Sequence, residues 1–201
     1  MAMTHGKASA RGETDTPRER RKPRPLDPAK VEELALAYVA RFATSAAKLE
    51  RYLVRKLRER GWDGAEESGR EPDLAALIGR YVALGYIDDA AFARAKGGSL
   101  LRRGYGPRRV RQALAEAGIG EATRAEARAS AAAERRAALA LARKRGFGPF
   151  GPARPDRQQR EKQLAAMLRA GHPLDSAREM VDAASEAAAE EWAAACDDEE
   201  S

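Results

Sequence analysis

The sequence predicts an all-α protein, and three observations predict it. Ala, Arg, Glu and Leu dominate the 201 residues while aromatic side chains make up only 5%, which supplies strong helix formers and little material for a sheet core. Apolar side chains recur at three- and four-residue spacing, the period of a half-buried helix. Six glycines are each followed by a bulky side chain, at Gly61-Trp62, Gly85-Tyr86, Gly104-Tyr105, Gly118-Ile119, Gly146-Phe147 and Gly171-His172. Glycine takes the left-handed conformation that stops a helix, and the residue after it folds back onto the last turn. His172 is the polar member of this set and is expected to latch at the surface rather than to bind a ligand.

Residues 1–26 are rich in Arg, Lys, Thr and Pro with almost nothing apolar to bury, so a disordered basic arm is expected there. The first helix opens at Asp27-Pro28, where Asp caps the free amides and Pro sits where its missing N–H does no harm. Val31, Leu34, Tyr38 and Phe42 follow on one face. Ser45 caps a second helix carrying Leu49, Tyr52, Leu53 and Leu57 up to Gly61, and Leu74, Leu77, Ile78 and Tyr81 mark a third that ends at Gly85.

Asp88 and Asp89 start a fourth helix, with Phe92 and Ala95, that stops at Gly104. Adjacent acids at a helix start are accounted for by capping and by the positive end of the helix dipole. Pro107 begins a fifth helix with Val110 and Leu114 inward and Gly118 at its end. Two more helices close at Gly146 and Gly171, and the three prolines between 146 and 156 predict a long non-helical loop. An Ala-rich helix then leads to Asp197, Asp198, Glu199 and Glu200, an acidic tip expected to be solvated.

The helices ending at Gly61, Gly118 and Gly171 carry Leu57, Leu114 and Met167 four residues before the glycine, at spacings of 57 and 53 residues. With one helix before and one after each, the body reads as three tandem three-helix repeats forming an elongated, curved array of about nine helices. The boundaries expected are 27–87, 88–134 and 135–190, the loop 146–156 lying inside the third repeat and an acidic tail at 191–201. Gln163 stands where the other repeats have Leu53 and Val110, so the third repeat matches least well.

The formal net charge is +6, which attracts polyanions or acidic protein surfaces without choosing between them. A lone cysteine, Cys196, excludes an internal disulfide framework, and no secretory signal or apolar membrane-spanning run is present, so a reducing cytoplasm is expected. His5 and His172 lie far apart and Cys196 has no neighbouring His or Cys, so neither a metal site nor Cys/His catalysis has its parts. Gly104-Tyr105-Gly106 is not followed by the Lys-Ser/Thr of a phosphate loop. The chain reads as a non-enzyme without cofactor.

Arg102, Arg103, Arg108, Arg109 and Arg111 surround the turn Gly104–Pro107 together with Tyr105. A turn that joins two helix ends brings these guanidiniums into one neighbourhood, and the planar fork of Arg suits phosphates or carboxylates. A solvated basic face is the alternative reading of the same residues.

The run Gly85-Tyr86-Ile87-Asp88-Asp89, then Phe92-Ala93, then Arg102-Arg103-Gly104-Tyr105-Gly106-Pro107-Arg108-Arg109-Val110-Arg111-Gln112-Ala113-Leu114 resembles the central signature of the RecX family. Ser45–Trp62 and Met167–Gly171 resemble the equivalent parts of its first and third units, so the likeness covers roughly residues 30–185. The resemblance implies three tandem three-helix repeats, a monomer that binds RecA and its nucleoprotein filament, and modulation, usually inhibition, of strand exchange, ATP hydrolysis and coprotease activity in DNA repair and the SOS response. On that basis Arg102, Arg103, Tyr105, Arg108, Arg109 and Arg111 are the expected contacts to RecA or to filament DNA, single- or double-stranded. A free-standing helical DNA-binding module is the alternative, since short helices joined by Gly turns imitate helix-turn-helix units. The sequence departs from the family pattern at Lys96-Gly97-Gly98, where an aromatic and an aliphatic residue are expected. Two glycines there cost about 1 kcal/mol each relative to Ala, and either a bent helix or close packing against a neighbour would explain them.

Overall fold

Seven of the ten α-helices among the described residues start at a side chain that holds a free amide of the first turn. Asp27, Ser45, Asp73, Asp88, Ser130, Asp156 and Ser185 each accept a hydrogen bond from the amide three residues on, and Asp156 with Gln159 completes a reciprocal capping box. In the computed structural model, which describes residues 24–63 and 72–195, the helices are α1 (Pro28–Arg41), α2 (Ala46–Arg60), α3 (Leu74–Ala83), α4 (Asp89–Arg102), α5 (Pro107–Glu116), α6 (Glu121–Glu126), α7 (Ala131–Arg145), α8 (Arg157–Arg169), α9 (Leu174–Asp182) and α10 (Glu186–Ala194). No strand occurs among the described residues; Leu26 and Trp62 form an isolated bridge. Residues 1–23, His5, Cys196 and the tip Asp197–Glu200 lie outside the described residues.

The buried apolar residues fall into three clusters, and each cluster keeps to one group of helices. Leu26, Val31, Leu49, Leu53, Ile78 and Tyr81 pack inside α1–α3. Ala93, Leu114, Ala117 and Ile119, with Phe92 and Val110 against them, fill α4–α6. Leu141, Met167, Met180, Val181, Ala189 and Ala193 are among those that fill α7–α10. The bulky residues available to the middle unit are few, so its core is the smallest.

At both joints between units the start of one unit's second helix lies against the end of the next unit's second helix. At the first joint the Ser45 hydroxyl donates to the Ala117 carbonyl at 2.7 Å, Arg51 donates to the Glu116 carbonyl, and the amide of Ala46 donates to the Asp89 carboxylate. At the second joint the amides of Gly106 and Arg108 donate to the carbonyls of Ala170 and Gly171, at 2.9 and 3.1 Å. At the second joint orphan amides of a helix start are matched to orphan carbonyls of a helix end, whereas at the first the carbonyls at the end of α5 accept from side chains of α2 and its cap; at both, the positive end of one dipole meets the negative end of another. At the outer ends the same groups are satisfied locally. Gly61 at the end of α2 accepts from the amide of Leu26, while the start of α8 carries the Asp156 capping box.

Four sequence expectations need correction. Leu26 belongs to the core, not to a solvated arm, because its fully buried side chain and two backbone hydrogen bonds close the end of α2. The expected break at 134/135 falls inside α7; the chain leaves the middle unit over 127–130, where Ser130 caps the new helix. The loop 146–156 contains a 3-10 turn at Gly148–Phe150, because one turn with Pro149 inside it needs no donor from the proline. Residues 191–195 are not tail: Trp192 and Ala193 pack on α7 as the last turn of α10. As for the Gly97-Gly98 pair, Gly97 is buried with a side-chain methyl of Val110 3.4 Å from where its Cβ would stand, which is close packing of α4 on α5.

Candidate functional site

The turn at Gly104–Pro107 is held from both sides. Tyr105 and Gly104 donate their amides back to Leu100 and Leu101, closing the end of α4, and Gly106 caps the start of α5 with its backbone alone. The other side of the turn rests on the third unit. A Cβ on Gly106 would stand 2.4 Å from the Gly171 carbonyl carbon, and one on Gly171, at φ +97°, would stand 2.5 Å from the Arg109 amide nitrogen. Only glycines allow this approach of the two backbones.

His172 lies at the same joint, fully buried, with Nε2 3.0 Å from the Gly104 carbonyl. The expected surface latch is therefore corrected: the imidazole packs between units because the backbones come together around it. Burial holds its pKa below the usual imidazole range, against the Gly104 carbonyl, which favours the protonated ring. Nδ1 is buried without a hydrogen-bond partner, so the neutral ring with its proton on Nε2 fits the site.

The arginines project outward from this closely packed joint. Arg102, Arg103, Arg108, Arg109 and Arg111 are all exposed, and Tyr105 is half-buried. The Arg103 guanidinium lies 5.5 Å from the centre of the Tyr105 ring, and Arg109 donates to the Gln112 side chain at 2.9 Å. None of the five forms an ion pair among the described residues, whereas Arg80 pairs with Glu32, Arg143 with Glu190 and Arg160 with Asp182.

The structure also divides the predicted cluster. Arg108 and Arg111 line a groove of about 400 Å³ between α5, α6 and the start of α7, whose apolar floor includes Val110 and Leu114. Arg124 and Arg128 line it too, and the sequence reading missed them; their spacing of four residues after Gly120 was the available signal. Arg124 pairs with Glu121 at 3.1 Å and Arg128 approaches Glu134 at 3.9 Å. Burial raises the Glu134 carboxyl above its usual range, opposed by Arg128 and Arg111. The arrangement suits binding of carboxylates or phosphates. Among the described residues no three His, Cys, Asp or Glu side chains gather as metal ligands, and no helix is long and apolar enough to cross a membrane.

The adjacent acids Asp88 and Asp89 have separate tasks. Asp88 caps its own helix at the Ala91 amide, 2.8 Å away, while Asp89 reaches the first amide of α2 in the preceding unit.

Comparison with known proteins adds the lineage. A family model described as the second three-helix domain of RecX matches residues 88–127, the middle unit. The regulatory protein RecX of Myxococcus xanthus is 33% identical over 180 residues, covering 86% of this chain and 96% of that protein. A protein of the same name from Thermus thermophilus is 37% identical over 76 residues, 35% of this chain and 53% of that one. In fold, the crystal structure of RecX from Lactobacillus salivarius matches with a TM-score of 0.60 at 18% identity, covering 77% of this chain and 94% of that one. Near-complete coverage of the Myxococcus protein, with the signature run seated at the joint of the second and third units, shows that the chain belongs to the RecX family.

Proposed function

We propose that this protein binds RecA and its nucleoprotein filament in the cytoplasm, as a monomer without cofactor or catalytic residues, and lowers strand exchange, ATP hydrolysis and coprotease activity in DNA repair and the SOS response. The supporting observation is the set Arg102, Arg103, Arg108, Arg109 and Arg111, exposed around Tyr105 and without ion pairs among the described residues, on a joint where two backbones are hydrogen-bonded to each other. Charges that fold stability does not employ are available to a partner, and their placement governs steering and register more than raw affinity. The Arg fork suits acidic side chains of RecA or phosphates of the DNA it carries.

The test is to add purified protein to RecA filaments at stoichiometric amounts and follow ATP hydrolysis and strand exchange. Inhibition is expected, and unchanged rates overturn the reading. Tight, salt-sensitive binding to duplex DNA in the absence of RecA, with no effect on the filament, would instead select the free-standing DNA-binding module.

A further inference from the structure

We infer that the groove between α5, α6 and α7 is a docking site for the chain's own acidic segment Asp197-Asp198-Glu199-Glu200, which thereby covers Arg108 and Arg111. The groove walls carry four guanidiniums, Arg108, Arg111, Arg124 and Arg128, against two carboxylates, Glu121 and Glu134. Arg124 and Arg128 are engaged by those two acids, so four guanidiniums share two carboxylates, and Arg108 and Arg111 on α5 form no ion pair among the described residues, Glu134 acting on Arg111 only from a distance. Four consecutive carboxylates complement that excess, and they follow α10 in the sequence.

The direction of α10 bears on which end of the groove its last described residue, Ala195, lies near. Glu190 of α10 pairs with Arg143, and the carbonyl of Trp192 accepts from Arg135 at 3.1 Å. As α10 advances, its partners on α7 step back toward the helix start, so the chain leaves α10 beside the first turn of α7. Glu134, in that turn, is part of the groove wall. From Ala195 the next five residues reach roughly 16 Å when extended, enough to pass around a helix about 10 Å thick. Tethering so close raises the effective concentration of the acidic segment to the millimolar range, where weak ion pairing suffices.

Docking is a property of the protein alone and does not depend on what the groove binds otherwise. If the arginines bind an acidic or phosphate-bearing partner as proposed above, the segment competes with that partner and tunes its affinity. A partner must then displace the tail, and neutralising the tail strengthens partner binding.

A nitroxide on residue 201, placed by Ser201→Cys in a Cys196→Ser chain, tests this through the amide signals of Arg111, Ala125 and Arg128. Those signals are expected to be broadened at low ionic strength. The broadening should disappear at about 1 M salt, where the screening length falls to about 3 Å. It should also disappear in the same chain carrying Asp197→Asn, Asp198→Asn, Glu199→Gln and Glu200→Gln, and in one carrying Arg108→Gln and Arg111→Gln. Broadening that is absent, or unchanged by salt and by both sets of substitutions, overturns the proposal. So does broadening seen equally when a spin-labelled, isotopically unlabelled chain is mixed with an unlabelled-tail, isotope-labelled one, which would assign the contact to a second copy. RecA enters none of these measurements, so this proposal and the regulatory reading fail separately.

Discussion

The amide of Gly106 donates to the carbonyl of Ala170 across 2.9 Å, joining the residue that precedes α5 to the residue that follows α8. With Arg108 on Gly171 beside it, the start of one helix completes the end of another. Helix start meets helix end again between Ser45 and Ala117, where the side-chain hydroxyl of the cap supplies the donor, so at both joints the carbonyls that a helix leaves unsatisfied take a donor from the neighbouring unit.

Glycines at this joint should rank by what a methyl group would meet. Gly106→Ala places Cβ 2.4 Å from backbone of the third unit, so it should cost about 3 kcal/mol or more and split urea denaturation into two transitions as that unit uncouples. Gly171→Ala should behave alike. Gly120→Ala, with nothing within 4 Å of the added methyl, should leave the midpoint unchanged.

His172 should give the joint a pH dependence. Its pKa is lowered in the folded protein, so the unfolded chain takes up the proton first. Stability from this residue is complete above about pH 6.5, the unfolded imidazole value, and falls as the pH drops below it. Urea midpoints measured from pH 8 to pH 5 should decline in the natural chain more than in His172→Leu over that window; parallel curves would remove His172 from the account.

Ser45 serves two partners, the Lys48 amide at 3.3 Å and the Ala117 carbonyl at 2.7 Å. Ser45→Ala should therefore lower stability by about 1–2 kcal/mol, at the upper end for a helix cap because the hydroxyl is buried. Asp89→Asn keeps an acceptor for Ala46 and should cost less, a comparison thermal unfolding can make.

The arginines should separate binding from folding. Arg108→Gln and Arg111→Gln, at exposed positions without ion pairs among the described residues, should leave the melting temperature in place and weaken binding to RecA filaments several-fold each, more so at low salt. Arg160→Gln removes a guanidinium paired with Asp182 in the third unit and should not change filament binding. Anisotropy titrations at two salt concentrations would read both expectations.

Helix composition, the caps at Asp27, Ser45 and Asp88 and the stops at Gly61, Gly118 and Gly171 were legible because capping and glycine stops act within a few residues of chain. The five arginines could be placed around the Gly104–Pro107 turn from the sequence, but the position of Arg124 and Arg128 beside two of them could not. Leu26 was not, since a single apolar residue in a charged stretch gives no period, and only its bridge to Trp62 puts it in the core. Nor was the burial of His172, whose neighbour Gly104 lies 68 residues away.

Local chemistry thus determined that this chain is a series of capped helices in three related groups, carrying five arginines around one turn. Tertiary structure alone decided how the groups join. Backbone amides and carbonyls look alike in every sequence, so which helix start meets which helix end, and which arginines then face Arg124 and Arg128 across a groove, depends on packing that no short stretch of chain encodes.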